Sequence, residues 1–379
     1  MNTRPRFASA LHEESTAAIL GIALGVSFFV CFVTGLESHL VQHPPSWFEW
    51  PSRPAGLYRF TQGLHVVTGI ATVPLLLAKL WVVFPKLFQW PPFENFAHAI
   101  ERVSLLPLIG GALFLLSSGI ANIAQWYPWP FGFRPAHYTV AWITIGALII
   151  HIVAKWSVTR TALARADTPV TDEPAAPTVA SASLAVERRN FLITVFGTGG
   201  LLALLTVGQT ASPLEKLALL APRRPSVGPQ GFPVNRTAAG VGVLEQAQDP
   251  AFRLVVEGNV RRTLVLSRDD LSALPKHVAT LPIACVEGWS ANQTWTGPRV
   301  RDLLAMAGAR PDAEVTVHSL QGSYATDLNM AHTHDRDTLL ALEVRGEALH
   351  VDHGYPVRLI GPNRPGTTQI KWVNRLVVR

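Results

Sequence analysis

Cysteine is nearly absent: Cys31 and Cys285 are the only two in 379 residues. Two distant thiols exclude a disulfide scaffold and any cysteine-rich zinc or iron–sulfur site. A thiol with no partner in its own segment is either an inert buried residue or a chemical one. Charge is also scarce, at 15% of residues against 48% hydrophobic, so part of the chain belongs in a membrane. No Lys/Arg-rich block or basic helix accompanies the net charge of +6, which argues against nucleic acid as a partner. Gly-x-Ser-x-Gly and phosphate-cradling loops are missing, so serine hydrolase and nucleotide roles are unsupported. Aromatic loading is what the chain does have: its 11 Trp suit membrane interfaces as well as a packed core.

Four apolar segments fill residues 1–156, at about Thr16–Leu36, Leu64–Phe84, Val103–Gln125 and Tyr138–Trp156. Each approaches the roughly 20 residues that a membrane-crossing helix needs. Pro/Trp-rich stretches around Trp47 and Trp126–Pro130 bound them as interfacial loops. Residues 157–189 turn Ala/Pro/Thr/Asp-rich, the composition of a flexible cytoplasmic linker. Arg188-Arg189-Asn190-Phe191-Leu192 then opens a fifth apolar stretch, 190–208, which looks like an internal twin-arginine export signal. The alternative is an ordinary stop-transfer helix with basic flanks.

The positive-inside rule gives one consistent topology. Arg4, Arg6, Lys79, Lys86, Arg102, Lys155, Arg160, Arg165, Arg188 and Arg189 share a side if the N-terminus is cytoplasmic. The expected location is a plasma (inner) membrane, crossed several times, with everything after about Gln209 outside the cytoplasm. Residues 231–379 are soluble in character. Arg253–Gly258, Thr263–Leu266, Val357–Ile360 and Leu376–Val378 read as strands, and Ser267 as a helix cap, giving an α+β domain.

Ionisable residues inside membrane helices are costly and therefore functional suspects. His137 and His151 share the fourth helix, fourteen residues apart. That spacing is about 40° short of four turns, so both face one side, roughly 21 Å apart along the axis. Such a helix can offer one axial imidazole to each of two stacked haems. His65, one turn into the second helix, shares the outer level with His137 and can clamp one haem with it. The inner level lacks a clear partner for His151: Lys79, His12 and His98 are the options. Gly21 and Gly35 leave room on the first helix for a flat macrocycle, or for plain helix packing.

Gln62-Gly-Leu-His65-Val-Val-Thr-Gly69 and the His137/His151 pair resemble the cytochrome b561 group and the haem-b subunits of membrane formate dehydrogenases. The resemblance covers about 150 residues and implies an all-α four-helix transmembrane domain with one or two haem b, reacting with quinone. It departs near Ile22, where that group carries an inner-level histidine.

In the C-terminal part, soft metals such as molybdenum favour thiolate, which Cys285 can supply. The run His350–Trp372 adds Gly/Pro bends and the charges of Arg358 and Lys371, suited to a phosphate. Cys285-Val-Glu-Gly-Trp-Ser, His353-Gly-Tyr-Pro-Val-Arg358 and Gly366-x-x-x-x-Lys371-Trp resemble the molybdopterin-binding domain of the sulfite oxidase family. The resemblance implies Cys285 as molybdenum ligand and His353, Arg358, Gln369, Ile370, Lys371 and Asn235 as cofactor contacts. The expected departures from that family are the lack of a C-terminal dimerisation domain and of a soluble haem domain, the membrane cytochrome taking the latter's place. His332-Thr-His334-Asp335 reads as a polar loop rather than a metal site. The expected protein is a membrane-bound molybdenum oxidoreductase, passing electrons between a small oxyanion or S/N-oxide and quinone, and exported by the twin-arginine machinery. The alternative is a non-catalytic electron carrier or anchor with an inactive molybdopterin-like domain.

Overall fold

The computed structural model describes residues 10–91, 93–167 and 179–379. The chain divides into two compact units, Met1–Leu36 with Leu64–Thr206, and Glu37–Gly63 with Val207–Arg379.

The first unit is built on α1 (Glu14–Gln42), α2 (Leu57–Leu87), α3 (Phe96–Ile123), α4 (Phe133–Asp167) and α5 (Val179–Val207). Each contains a stretch long and apolar enough to cross a membrane. Leu20, Leu24, Leu75, Leu76, Val82, Ala112 and Val195 pack inside. Large apolar side chains such as Phe29, Leu106, Val153 and Trp156 face outward. Helices apolar all round need lipid or protein on every side.

Their ends correct the sequence reading. The stretch 157–189 was expected to be a flexible linker, yet 157–167 continues α4 and 179–189 begins α5. Ala, Leu and Arg in these arms are strong helix formers, and that local preference prevails over the polar composition. α5 starts at Val179, and its stretch apolar enough to cross a membrane, Val186–Val207, lies near the expected 190–208. Residues 168–178, and the basic Arg4 and Arg6, lie outside the described residues.

The second unit adds α6 (Leu244–Gln248), β1 (Leu254–Gly258), β2 (Leu264–Leu266), α7 (Arg268–Ala273), β3 (His277–Ala284), β4 (Ser290–Gly297) and α8 (Val300–Ala307). It continues with β5 (Val315–Ser319), β6 (Ala325–Leu328), α9 (Met330–Thr333), β7 (Leu339–Ala341), β8 (Glu343–Val344), β9 (Glu347–Ala348), β10 (Arg358–Ile360) and β11 (Val373–Val378). One sheet runs β2-β1-β11-β5-β6, with β1 and β11 parallel; another runs β3-β4-β8-β9, and β10 pairs with β7. The unit is α+β, as the sequence implied.

Local rules explain these elements. Burial alternates along β5, so Val315 and Val317 face the core. On α8, Val300, Leu303, Leu304 and Ala307 are buried at helical spacing, and Gly308 ends the helix at φ 70°. Ser267 and Asp270 form a capping box at α7. Fully buried leucines such as Leu254, Leu303 and Leu359 each contribute roughly 1.5–3 kcal/mol. The expected polar loop at His332 is instead α9, capped by Asn329, whose side chain accepts from His332 N–H.

Residues 37–63, which the sequence presents as a connection between two apolar helices, fold with the C-terminal domain. Asn363 is the anchor. Its N–H donates to Ala55 O at 3.1 Å and its carbonyl accepts from Trp50 Nε1 at 2.9 Å. Its side chain accepts from Tyr58 N–H and donates to Pro51 O, each at 2.7 Å. Arg53 pairs with Asp335 at 2.8 Å and with Asp337, and Arg59 donates to Asn292 at 2.8 Å.

Candidate active site

Cys285 stands where β3 ends, in the tight connection to β4. Its N–H donates to Trp289 O at 2.9 Å and its carbonyl accepts from Gly288 N–H at 3.0 Å, with Gly288 at φ 89°. A positive φ favours glycine there. The thiol is buried in a cluster with Phe232, Ile283, Trp289 and Trp295. Burial, reinforced by the negative Glu287, pushes its pKa up to about 12. In the bare protein it is a neutral thiol, and a bound metal would displace its proton.

Asn235 Nδ2 lies 3.0 Å from Cys285 Sγ and 3.0 Å from Glu287 Oε1. Arg223 holds the other end of the amide, donating to Asn235 Oδ1 at 2.9 Å. Trp289 Nε1 donates to Glu287 Oε2 at 3.1 Å. Arg223 and Glu287 were not singled out from sequence. A carboxylate inside the otherwise apolar Ala-Cys-Val-Glu-Gly-Trp run was the available signal.

The positive side of the site comes from the other end of the chain. Arg358 on β10 is 5% exposed and donates to His353 O at 3.0 Å, while its Nε has no hydrogen-bond partner. Its guanidinium lies 5.5 Å over the Trp295 ring. Burial lowers its pKa to about 9. Lys371 donates to Arg236 O and, at 2.9 Å, to Asp352 O, and sits 4.3 Å over Trp372. Burial, then repulsion from Arg358, lowers its pKa to about 7. Gly354, at φ 111°, brings these two together: a Cβ on it would lie 3.1 Å from Lys371 Cα and 3.2 Å from Arg358 Cβ. Among the described residues, the buried Arg358 and the half-buried Lys371 are hydrogen-bonded to neutral carbonyls, and cations so placed call for an anion.

His353 is neutral, its pKa lowered to about 3 by burial and then by Arg358. Its Nε2 donates to Pro229 O at 2.7 Å, and its ring stacks on Phe232 at 3.6 Å. Gln369 donates to Arg364 O at 2.9 Å and Pro282 O at 3.2 Å, and its buried Oε1 has no partner. Ile370 is in the main core, its carbonyl taken by Leu359 N–H at 2.8 Å. Asn235 reaches Cys285, and the next residue, Arg236, receives Lys371. That short segment links the thiol to the cations.

In the first unit, His65 Nδ1 donates to Cys31 O at 2.9 Å and lies 3.2 Å from Thr34 Oγ1. His137 Nδ1 is 3.1 Å from Ser118 Oγ. Each ring is thus oriented through Nδ1, with Nε2 on the far side, as second partners orient metal-binding imidazoles. The ring centres are 6.3 Å apart. A metal taking one nitrogen from each ring at about 2.0 Å would hold the centres roughly 6 Å apart. Gly35 makes room, since a Cβ there would lie 3.0 Å from His65 Cε1. No such pairing is built at His151, whose Nδ1 has no partner. Lys79 donates to Ala17 O, His12 shares 2.8 Å with Val82 O, and His98 accepts from Glu94 N–H at 3.2 Å.

Residues 241–379 match the family described as oxidoreductase molybdopterin binding domain. That match, with the buried thiol and cations inside it, makes this part of the chain a molybdopterin-binding oxidoreductase domain. Mitochondrial sulfite oxidase of Drosophila melanogaster is 34% identical over 158 residues, covering 34% of this chain and 27% of that protein. The "Putative protein-methionine-sulfoxide reductase subunit YedZ1" of Azospira oryzae is 32% identical over 160 residues, 42% of this chain and 61% of that protein. The "Uncharacterized oxidoreductase YuiH" of Bacillus subtilis is 30% identical over 123 residues, 32% and 62% respectively. Residues 241–379 are thus similar in sequence to the molybdopterin-binding part of sulfite oxidase. The chain spans only these shares of its relatives' lengths. Asn235 precedes the matched segment, so its place in the site rests on its contact with Cys285.

Proposed function

We propose that the protein is a membrane-bound molybdenum oxidoreductase that exchanges electrons between a small oxygen-accepting or oxygen-donating substrate and quinone through b-type haem. The observation that carries this reading is a buried thiol, Cys285, linked through Asn235–Arg236 to the cations Arg358 and Lys371, which among the described residues have no carboxylate partner in hydrogen-bonding contact. These residues suit molybdopterin: a thiolate for the metal, cations for the phosphate, and Gln369 Oε1 as acceptor for a ring N–H. When bound, the metal supplies two-electron oxygen-atom transfer; the protein supplies binding and orientation.

Cys285 holds the metal, and Asn235 orients the sulfur by donating to it. Arg358 and Lys371 neutralise the phosphate, and the apolar walls of Phe232, Trp289 and Trp295 keep water from the sulfur. His65 and His137, each oriented through Nδ1, would hold one haem, and His151 would serve a second. Five apolar helices supply access to quinone, and Arg188-Arg189 supplies the signal for export of the loaded domain. The names of the fly and Azospira relatives support sulfite-like anions and sulfoxides as substrate classes, with electrons passing from the first to quinone or from quinol to the second.

The test is a screen of the full chain in detergent against sulfite-like oxyanions and S- and N-oxides, following quinone reduction or quinol oxidation optically. Turnover with one class and loss in Cys285→Ala support the reading. No turnover with any class, in protein loaded with molybdenum and haem, supports the non-catalytic carrier instead.

A further inference from the structure

Within the connection between β3 and β4 the main chain closes on itself through the Cys285–Trp289 and Gly288–Cys285 hydrogen bonds, and the carbonyls of Val286 and Gly288 are bonded from elsewhere. Distant segments take both. Gln62, 224 residues earlier, donates from Nε2 to Val286 O at 2.9 Å, and Thr210 Oγ1 donates to Gly288 O. Ser290 N–H donates to Gln209 O at 2.8 Å, closing the same edge. Gln62 is only 6% exposed. A Cβ on the next residue, Gly63, would lie 2.4 Å from Thr210 Cγ2, so the two supports pack against each other.

The same segment grips the loop after Arg358. Asn363 gives its main-chain N–H and carbonyl and both ends of its amide to residues 50–58. That loop returns to the thiol strand, because Gly366 N–H donates to Ala284 O at 2.7 Å. Residues 50–62 thus hold the turn bearing Cys285 and the loop leading from Arg358 to Gln369.

We infer that residues 50–62 are a strap that positions the cofactor-holding loops, and that Gln62 is a positioning residue for Cys285. Gln62 fixes the peptide after Val286, and with it the turn on which the thiol and Glu287 stand. Glu287 in turn shares Asn235 with Cys285 Sγ, so loosening this peptide shifts the sulfur and its hydrogen-bond donor together. The inference rests on Cys285 as molybdenum ligand, and its test separates the two claims.

The full chain is prepared in detergent as the parent, as Gln62→Met, which keeps shape and loses the donor, and as Gln62→Glu. Two readouts are used: the electron paramagnetic resonance spectrum of Mo(V) in the loaded protein, and the alkylation rate of Cys285 by mass spectrometry in cofactor-free protein. Gln62→Met is expected to shift the Mo(V) g-values at undiminished molybdenum content. It is also expected to alkylate faster, by up to about tenfold, the scale of one lost hydrogen bond. Gln62→Glu is expected to match the parent where the introduced carboxyl is protonated and can donate, and Gln62→Met where it is ionised. An unchanged Mo(V) spectrum together with an unchanged alkylation rate in Gln62→Met overturns the positioning role. If Gln62→Met does not accumulate, Gln62→Glu decides, and a spectrum with the parent's pH dependence overturns the role. A parent without molybdenum refutes the ligand assignment, and the alkylation rates then still decide whether Gln62 holds the turn.

Discussion

Lys371 gives the most quantitative prediction. Its half-buried ammonium has Arg358 nearby, and its pKa falls from the ordinary 10.5 to about 7, burial being the larger cause and Arg358 the next; Asp352 pulls the other way. A base whose folded pKa lies below its unfolded value binds fewer protons when folded, so stability rises with pH between the two values. For the cofactor-free protein the window runs from about 7 to about 10.5. Between pH 7.0 and 8.5 the group alone adds about 1.5 kcal/mol to domain stability. Above pH 9 the trend is opposed, because the Cys285 thiol, raised to about 12 in the fold, ionises more readily when unfolded. The lower window avoids that. Hydrogen–deuterium exchange of peptides from β5 and β11 in cofactor-free full chain measures the opening free energy across it. Subtracting Lys371→Met, which keeps the stem and removes the charge, removes the contribution of other titrating groups. The expected difference between parent and variant over pH 7.0–8.5 is about 1.5 kcal/mol, and it should shrink in loaded protein, where a bound phosphate would restore the basicity of Lys371. Identical slopes in parent and Lys371→Met would refute the picture of a half-buried cation awaiting an anion.

Other perturbations have definite outcomes. His65→Ala and His137→Ala should each remove the same haem band from the optical spectrum; haem content untouched in either breaks the pairing. Gly297→Ala places a Cβ 2.1 Å from Leu340 O, a backbone atom. It should lower thermal stability of the domain by about 2–3 kcal/mol, and a melting curve matching the parent's contradicts that. Asn235→Ala removes the donor shared by Cys285 Sγ and Glu287. It should speed molybdenum loss on dialysis about tenfold, the scale of a hydrogen bond to a charged group; parent-like retention argues against that contact.

Much of the fold was legible because it follows local rules. Apolar runs announced the five long helices, and Ser267 with Asp270 announced the start of α7. The helix ends were not legible: Ala-rich polar arms look like linker by composition and are helical by propensity. In the site, Cys285, Arg358 and Lys371 stood out as a thiol and two charges among Gly/Pro turns. Glu287 and Arg223 did not, since their roles arise only when Asn235 is brought to the β3–β4 turn. The strap was illegible for a related reason. Trp50, Arg53 and Gln62 look like interfacial loop and membrane helix, and their partners lie more than 200 residues away. Sequence spacing carries no trace of such pairings.

The central claim is that Cys285 is the protein's ligand to molybdenum. X-ray absorption at the molybdenum edge, with metal analysis, on the purified full chain and on Cys285→Ser tests it directly. The parent should bind molybdenum with a protein-derived sulfur in its inner shell, and Cys285→Ser should lose either that sulfur or the metal altogether. Equal metal content with an unchanged sulfur shell in Cys285→Ser would contradict it.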